Sequence, residues 1–368
     1  MKQRVLYVDM IKGTAIMAVV LLHIQFVFPS SFFSLNSMLG GLWHVAIFFV
    51  VSGWFLKDER MLDFKSFAWG KTKGLYLKAM WIYIPLVLLH NLFFKWGWLF
   101  DDIVYNQRTL QPFTGITDTV KHLLMQFFFT HREPFSGAMW FVDSLFLALI
   151  CFSIITIAIN KIFKVCENSS YGYNKVRALR LIVCLILASL SIYLSKHGIN
   201  IPKVSNTCSG MLLMCIGQMI SQRRLDFDNK YMFVIALLVA LHYNSLCIGM
   251  ALNSNSYPDI VTLIVAPTSV LYVLAFIFKK IENSIFGKVI NYVGKESFWV
   301  MGLHMVGFHV FTSLLVACGY TFEHHFTTPE LGNNVVLLLG YFVFGCSVPL
   351  VIKETITRTY RIIRRRND

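Results

Sequence analysis

Tyr7-Val-Asp9-Met-Ile-Lys12-Gly-Thr-Ala-Ile-Met-Ala-Val-Val-Leu-Leu-His23-Ile24 is apolar enough to enter a membrane, yet it contains three ionisable side chains. Eleven positions separate Lys12 from His23, which returns them to within about 20° of one helix face, about 16 Å apart along it. Asp9 falls about 40° from the same line. Lipid does not tolerate such a stripe, so it must face a protein interior or a wet cavity.

The rest of the chain supports that setting. Of 368 residues, 56% are hydrophobic and 14% charged, the latter roughly half the share of an ordinary soluble domain. Mean hydropathy is +0.62. Ten apolar stretches, near 11–28, 43–56, 79–99, 139–160, 181–195, 206–221, 231–249, 260–278, 297–317 and 334–352, predict membrane spans. The fold expected is therefore an all-α, polytopic bundle of about ten transmembrane helices in a single domain, 1–368. All 33 Lys and Arg except Lys95, Arg108, Lys121, Arg132, Lys196 and Lys203 fall on the N-terminus and every second loop. The positive-inside rule then puts both termini in the cytoplasm. The net charge of +14 is on this reading a topology signal, and no nucleic-acid partner is implied.

Eight cysteines stand as singles without a CxxC pair, so neither a disulfide framework nor a metal site is expected. No cleavage site follows the first apolar run, which reads as a retained span. Pro29–Leu42 reads as an uncharged outer loop. The segment 100–138 is the longest outer one, and its half Val120–Phe129 suits an interfacial or re-entrant helix. Loop 161–180 reads as a polar linker, and 353–368 as a basic cytoplasmic tail. Ser52-Gly53, Gly210 and Gly217 are small residues that let helices approach closely.

Five ordered motifs carry a resemblance: Asp9-x-x-Lys12-Gly13 with His23; Phe48-Phe49-Val-Val-Ser52-Gly53-Trp-Phe-Leu56; Lys71, Lys73 and Pro85; Trp140-Phe141-Val142; and Gly294-Lys-Glu-Ser297 with His304. Together, over residues 9 to about 304, they resemble the integral-membrane acyltransferase-3 family of sugar O-acyltransferases. Lysine at 12, 71 and 73 stands where many members have arginine, giving a point charge in place of a bidentate fork.

The resemblance implies transfer of an acyl group, usually acetyl from acetyl-CoA, to a hydroxyl of a cell-surface or lipid-linked glycan, in a bacterial-type inner membrane. A sugar hydroxyl needs a base, and histidine titrates in the right range. His23 is the candidate, as base or as transient acyl carrier, with Asp9 tuning Lys12. Lys12, Lys71 and Lys73 are expected to hold the donor; Asp143, Trp140 and His304 are expected on the acceptor side. Without the motifs, His23 reads equally as a packed histidine and Lys12 as a snorkelling boundary lysine. Lys65, Lys71, Lys73 and Lys78 around Phe64, Phe67 and Trp69 read first as a lipid-headgroup belt, with a cytoplasmic phosphate site as the alternative. His44, His90, His242, His309, His324 and His325 read as structural. The rival functions are a transporter or flippase of a lipid-linked glycan, whose path the stripe would line, and a glycan polymerase.

Overall fold

The computed structural model describes residues 5–26, 43–105, 108–129, 133–163, 170–201, 203–223, 225–246 and 251–367. The expected outer loop 29–42 and the stretch 164–169 of the expected linker lie outside these. Among the described residues the chain is helical, apart from one hairpin of two-residue strands, Val104–Tyr105 against Arg108–Thr109, and an isolated bridge between Ala251 and Ser256. The all-α class is as expected.

The helices are α1 (Leu6–Leu22), α2 (His44–Trp54), α3 (Asp58–Leu62), α4 (Phe64–Lys71), α5 (Leu77–Leu88), α6 (His90–Lys95), α7 (Ile116–Phe127), α8 (Trp140–Ile162), α9 (Ser170–Lys196), α10 (Val204–Arg223), α11 (Lys230–Ser245), α12 (Ile260–Ile281), α13 (Ile285–Lys295), α14 (Ser297–Ala317) and α15 (Val335–Asn367). Each of the ten apolar stretches carries a helix. Five of them, α8 with its lead-in from Pro134, α9, α12, α14 and α15, are long and apolar enough to cross a membrane. Their outward faces are apolar too. On α9, Ile182, Ile186, Leu190 and Tyr193 point away from the protein while Cys184, Ala188 and Ile192 are buried, the pattern of a helix whose second apolar face meets lipid. This is an integral membrane protein.

Two crossings set the centre of the bundle. A Cβ at Gly294 of α13 would overlap the Asp9 carbonyl, and one at Gly13 would overlap the Ile290 carbonyl, so α1 and α13 touch backbone to backbone. Likewise a Cβ at Gly53 of α2 would overlap the backbone of Met214, and one at Gly217 of α10 that of Val50. The Ser52-Gly53 and Gly217 expectation thus holds, and Gly294, at the head of a motif, serves helix packing. With 11 residues, α2 rises only about 16 Å, and α10 buries it along its length.

One end of the bundle is closed by a buried charge network. Asp58, fully buried at the start of α3, accepts from Arg177 Nε at 2.6 Å, Arg180 Nη2 at 3.0 Å and Gln218 Nε2 at 3.2 Å. Arg180 also donates to Thr156 Oγ1 at 2.7 Å and to Gln218 Oε1. These bonds draw α3, α8, α9 and α10 together, and they correct the expected linker over 161–180: from Ser170 onward it is helix, because Arg177 and Arg180 must reach Asp58.

Gly53→Leu is expected to destabilise the detergent-purified protein by about 1–3 kcal/mol, read as a lowered thermal midpoint. Gly70→Ala is the matched control, since nothing lies within 4 Å of a Cβ there, and its midpoint is expected not to fall.

Candidate functional site

The first helix stops at Leu22. His23 follows it, its N–H donating to the Val20 carbonyl at 3.2 Å. Two residues later the chain is pinned: Gln25 N–H donates to Thr328 Oγ1 at 2.9 Å, and its carbonyl accepts from Leu331 N–H at 3.0 Å. The helix thus ends earlier than the span expected over 11–28, and His23 stands at its C-terminus, where the backbone turns toward the 327–331 segment.

At that position it lines two adjoining cavities. The first, of about 200 Å³, is lined by His23, His44, Trp140, Asn253 and Met301, among others. The second, of about 410 Å³, shares His23, Ala138, Trp140 and Asn253 and adds Tyr105, Phe129, Lys203, Asn206 and Phe326. His304 packs against the His23 ring with centroids 5.0 Å apart.

The two rings are held alike. His23 Nδ1 is 2.8 Å from the Val19 carbonyl, and His304 Nδ1 is 2.9 Å from the Val300 carbonyl. A carbonyl can only accept, so Nδ1 carries the proton in each, and in the neutral ring Nε2 keeps the lone pair. His304 Nε2 is buried without a hydrogen-bond partner among the described residues, and so is His44 Nδ1. His44, read from sequence as structural, therefore belongs with the cavity. Its only sequence signal was its place at the head of the second span.

Asp143 is buried and sits behind the wall. It accepts from Tyr83 Oη at 3.0 Å, and its Oδ2 lies 3.7 Å from Lys203 Nζ. It is thus joined to the cavity through Lys203, a residue the sequence reading passed over because one lysine in a loop carries no pattern.

At the opposite end of α1, Lys12 Nζ pairs with Asp9 Oδ1 at 2.6 Å, as the i, i+3 spacing predicts. Lys78, its ammonium 4.4 Å over the Phe298 ring, shares its electrostatic surroundings with Lys12, Lys353 and Glu296. Glu296 in turn pairs with Lys353 at 3.1 Å. Lys71 and Lys73 lie on the next turn of chain and face their own aromatics, Lys71 at 5.1 Å from Phe67 and Lys73 at 4.7 Å from Trp69. Burial, with the Arg60 guanidinium nearby, pulls the Lys71 ammonium below its usual value. Lys78, one of the basic inner-loop residues, is a lysine whose charge Lys12 meets.

The segment before α8 roofs the His23 end. Glu133, buried, binds His90 Nδ1 at 2.7 Å, while His90 Nε2 reaches the Gln111 carbonyl at 3.1 Å and the ring stacks on Phe113. Both acceptors require protons, so this geometry suits an imidazolium. Burial pushes the Glu133 carboxyl up, and the His90 charge opposes it. Where an interfacial or re-entrant helix was expected the chain forms α7, with Ile116, Leu124 and Phe127 exposed.

Removing one partner of a buried ion pair costs about 3–5 kcal/mol. Glu133→Ala is therefore expected to loosen the roof, seen as faster amide exchange across residues 110–113 with the α14 amides unchanged.

Among the described residues no group of three or more His, Cys, Asp or Glu is placed to hold a metal ion. The acyltransferase-3 family's sequence model, described as an acyltransferase domain, matches residues 5–354. No curated protein and no solved structure matches the chain.

Proposed function

The chain belongs to the acyltransferase-3 family of membrane acyltransferases, and on that premise we propose that it transfers an acetyl group from acetyl-CoA to a hydroxyl of a cell-surface or lipid-linked glycan. The observation that carries this reading is the position of His23: its Nδ1 is fixed on the Val19 carbonyl, and its ring lines both cavities beside Trp140.

In this proposal His23 Nε2 takes the proton from the sugar hydroxyl as its oxygen attacks the thioester carbonyl. The carbon–oxygen bond forms, the carbon–sulfur bond breaks, and the proton passes from His23 to the departing thiolate. General-base assistance of this kind contributes about 10²–10⁴-fold. His304, packed on His23, fixes the ring in the plane that serves the attack. Trp140 and Phe129 offer flat faces to the sugar.

The donor's charged phosphates are proposed to stay at the basic end of α1, with Lys12 and Lys78, while the thioester arm spans toward His23, about 16 Å along the helix. Asp9 sets the direction of the Lys12 ammonium. Lys71 and Lys73 form an outer basic rim, in reach of donor phosphates or of lipid headgroups. The rim and Lys12 face the cytoplasm in this reading, ten helices cross the inner membrane of a bacterium, and the acceptor meets the cavity from the other side.

His23→Ala is expected to lower labelled acetyl transfer from acetyl-CoA to membrane glycans by about 10²-fold or more, with membrane insertion normal. Transfer at the wild-type rate would remove His23 from the chemistry, and no transfer by the wild type to any glycan would favour a transporter. Lys12→Arg is expected to keep the donor KM within a few fold, whereas Lys12→Ala raises it about tenfold, the loss of about 1.4 kcal/mol.

A further inference from the structure

Among the described residues, three other than glycine adopt the left-handed backbone region, Phe129 at φ 60°, Lys203 at φ 69° and Asn255 at φ 52°. Asparagine tolerates that region; phenylalanine and lysine pay about 1–2 kcal/mol each for it. Phe129 and Lys203 both line the larger cavity, and Asn255 stands two residues from Asn253, which lines it too. Backbone strain persists where the surroundings hold it, and such strain concentrates at functional sites.

We infer that this cavity recognises an anionic group on the acceptor, a sugar carboxylate or a sugar phosphate, through the Lys203 ammonium. This rests on the reading that the cavity holds the acceptor. Lys203 is the one Lys or Arg among the described residues that line it. Its ammonium lies 5.5 Å over the Phe129 ring, so the two strained residues brace each other. Asp143, 3.7 Å away and not part of the wall, holds the side chain from behind. An ammonium carries three donors and Asp143 engages at most one of them, so the others are left for a ligand. Burial pulls the Lys203 ammonium below the usual lysine value, and Asp143 opposes the shift.

A second group points the same way. Asn206, in the first turn of α10, is buried and lines the cavity, and its Oδ1 has no hydrogen-bond partner among the described residues while its Nδ2 donates to the Asn253 carbonyl at 3.1 Å. A sugar hydroxyl adjacent to the anionic group would satisfy it. The positive end of the α10 dipole adds to the Lys203 charge at the same opening. Tyr105 and Phe326, with ring centroids 5.1 Å apart, supply an apolar flank for the sugar ring.

The test measures binding, independently of catalysis, with the full chain in lipid nanodiscs. The probes are trigalacturonate for the carboxylate, galactose 1-phosphate for the phosphate and galactotriose as the neutral counterpart. One or both anions are expected to bind at least tenfold more tightly than the neutral sugar, with the preference shrinking in high salt. Whichever anion gains the preference identifies the source. Lys203→Arg is expected to keep the preference, and Lys203→Met to abolish it. Lys203→Asn relaxes the backbone without the charge, and is expected to behave as Lys203→Met does. Equal binding of anionic and neutral probes, binding of neither anion, or an anion preference surviving in Lys203→Asn would overturn the inference. An acetylated glycan that proves neutral would overturn it too while leaving the acetyltransfer reading intact. Unchanged acetylation in His23→Ala would instead strike that reading and not the binding result.

Discussion

Backbone-to-backbone contact at glycine is the constraint on which the molecule depends. At Gly13 and Gly294 the first helix and α13 meet with no room for a Cβ, and at Gly53 and Gly217 the short second helix is pressed into α10. Lipid supplies no hydrophobic drive between helices, so close van der Waals contact has to hold them. These crossings fix α1 and α2, the helices at whose ends His23 and His44 stand. His304, from α14, completes the group against the His23 ring. Side chains of the site are ordered by contacts made a turn or more away from them.

Charge is handled with equal economy. Inside the bundle, buried ionic groups come in paired sets: Asp58 with Arg177, Arg180 and Gln218, Glu133 with His90, and Asp143 with Tyr83 and Lys203. Each joins segments far apart in sequence, a register that apolar packing alone does not specify. Breaking such a set is costly because the remaining charge stays out of water.

Much of this was legible in the sequence, and the reasons are local. Apolar stretches announce helices, so a helix lies at each predicted position. The i, i+3 spacing of Asp9 and Lys12 predicted their pair. Small residues at 53 and 217 predicted close approach. What failed was long range. The helix end at Leu22 is not legible locally, because the turn after it is fixed by Thr328 and Leu331, some 300 residues on. The partners of Asp143, Tyr83 and Lys203, lie about 60 residues away on either side, beyond any local pattern. Nothing local singles Lys78 out of its basic loop, and only the fold sets its charge beside Lys12, Lys353 and Glu296. His44 and Lys203 carried no local pattern, and only the folded chain brings them to the cavity wall.

Lys12 and His23 are held on one rigid element, 17 residues long and capped by His23 itself. That makes α1 a molecular ruler. Inserting a single residue between them would lengthen the interval by about 1.5 Å, a trivial change, but would also swing one end about 100° around the axis relative to the other. Drift in this helix is thus tolerable in composition and intolerable in length. The spacing of two residues, more than the identity of those between them, is what descent must preserve.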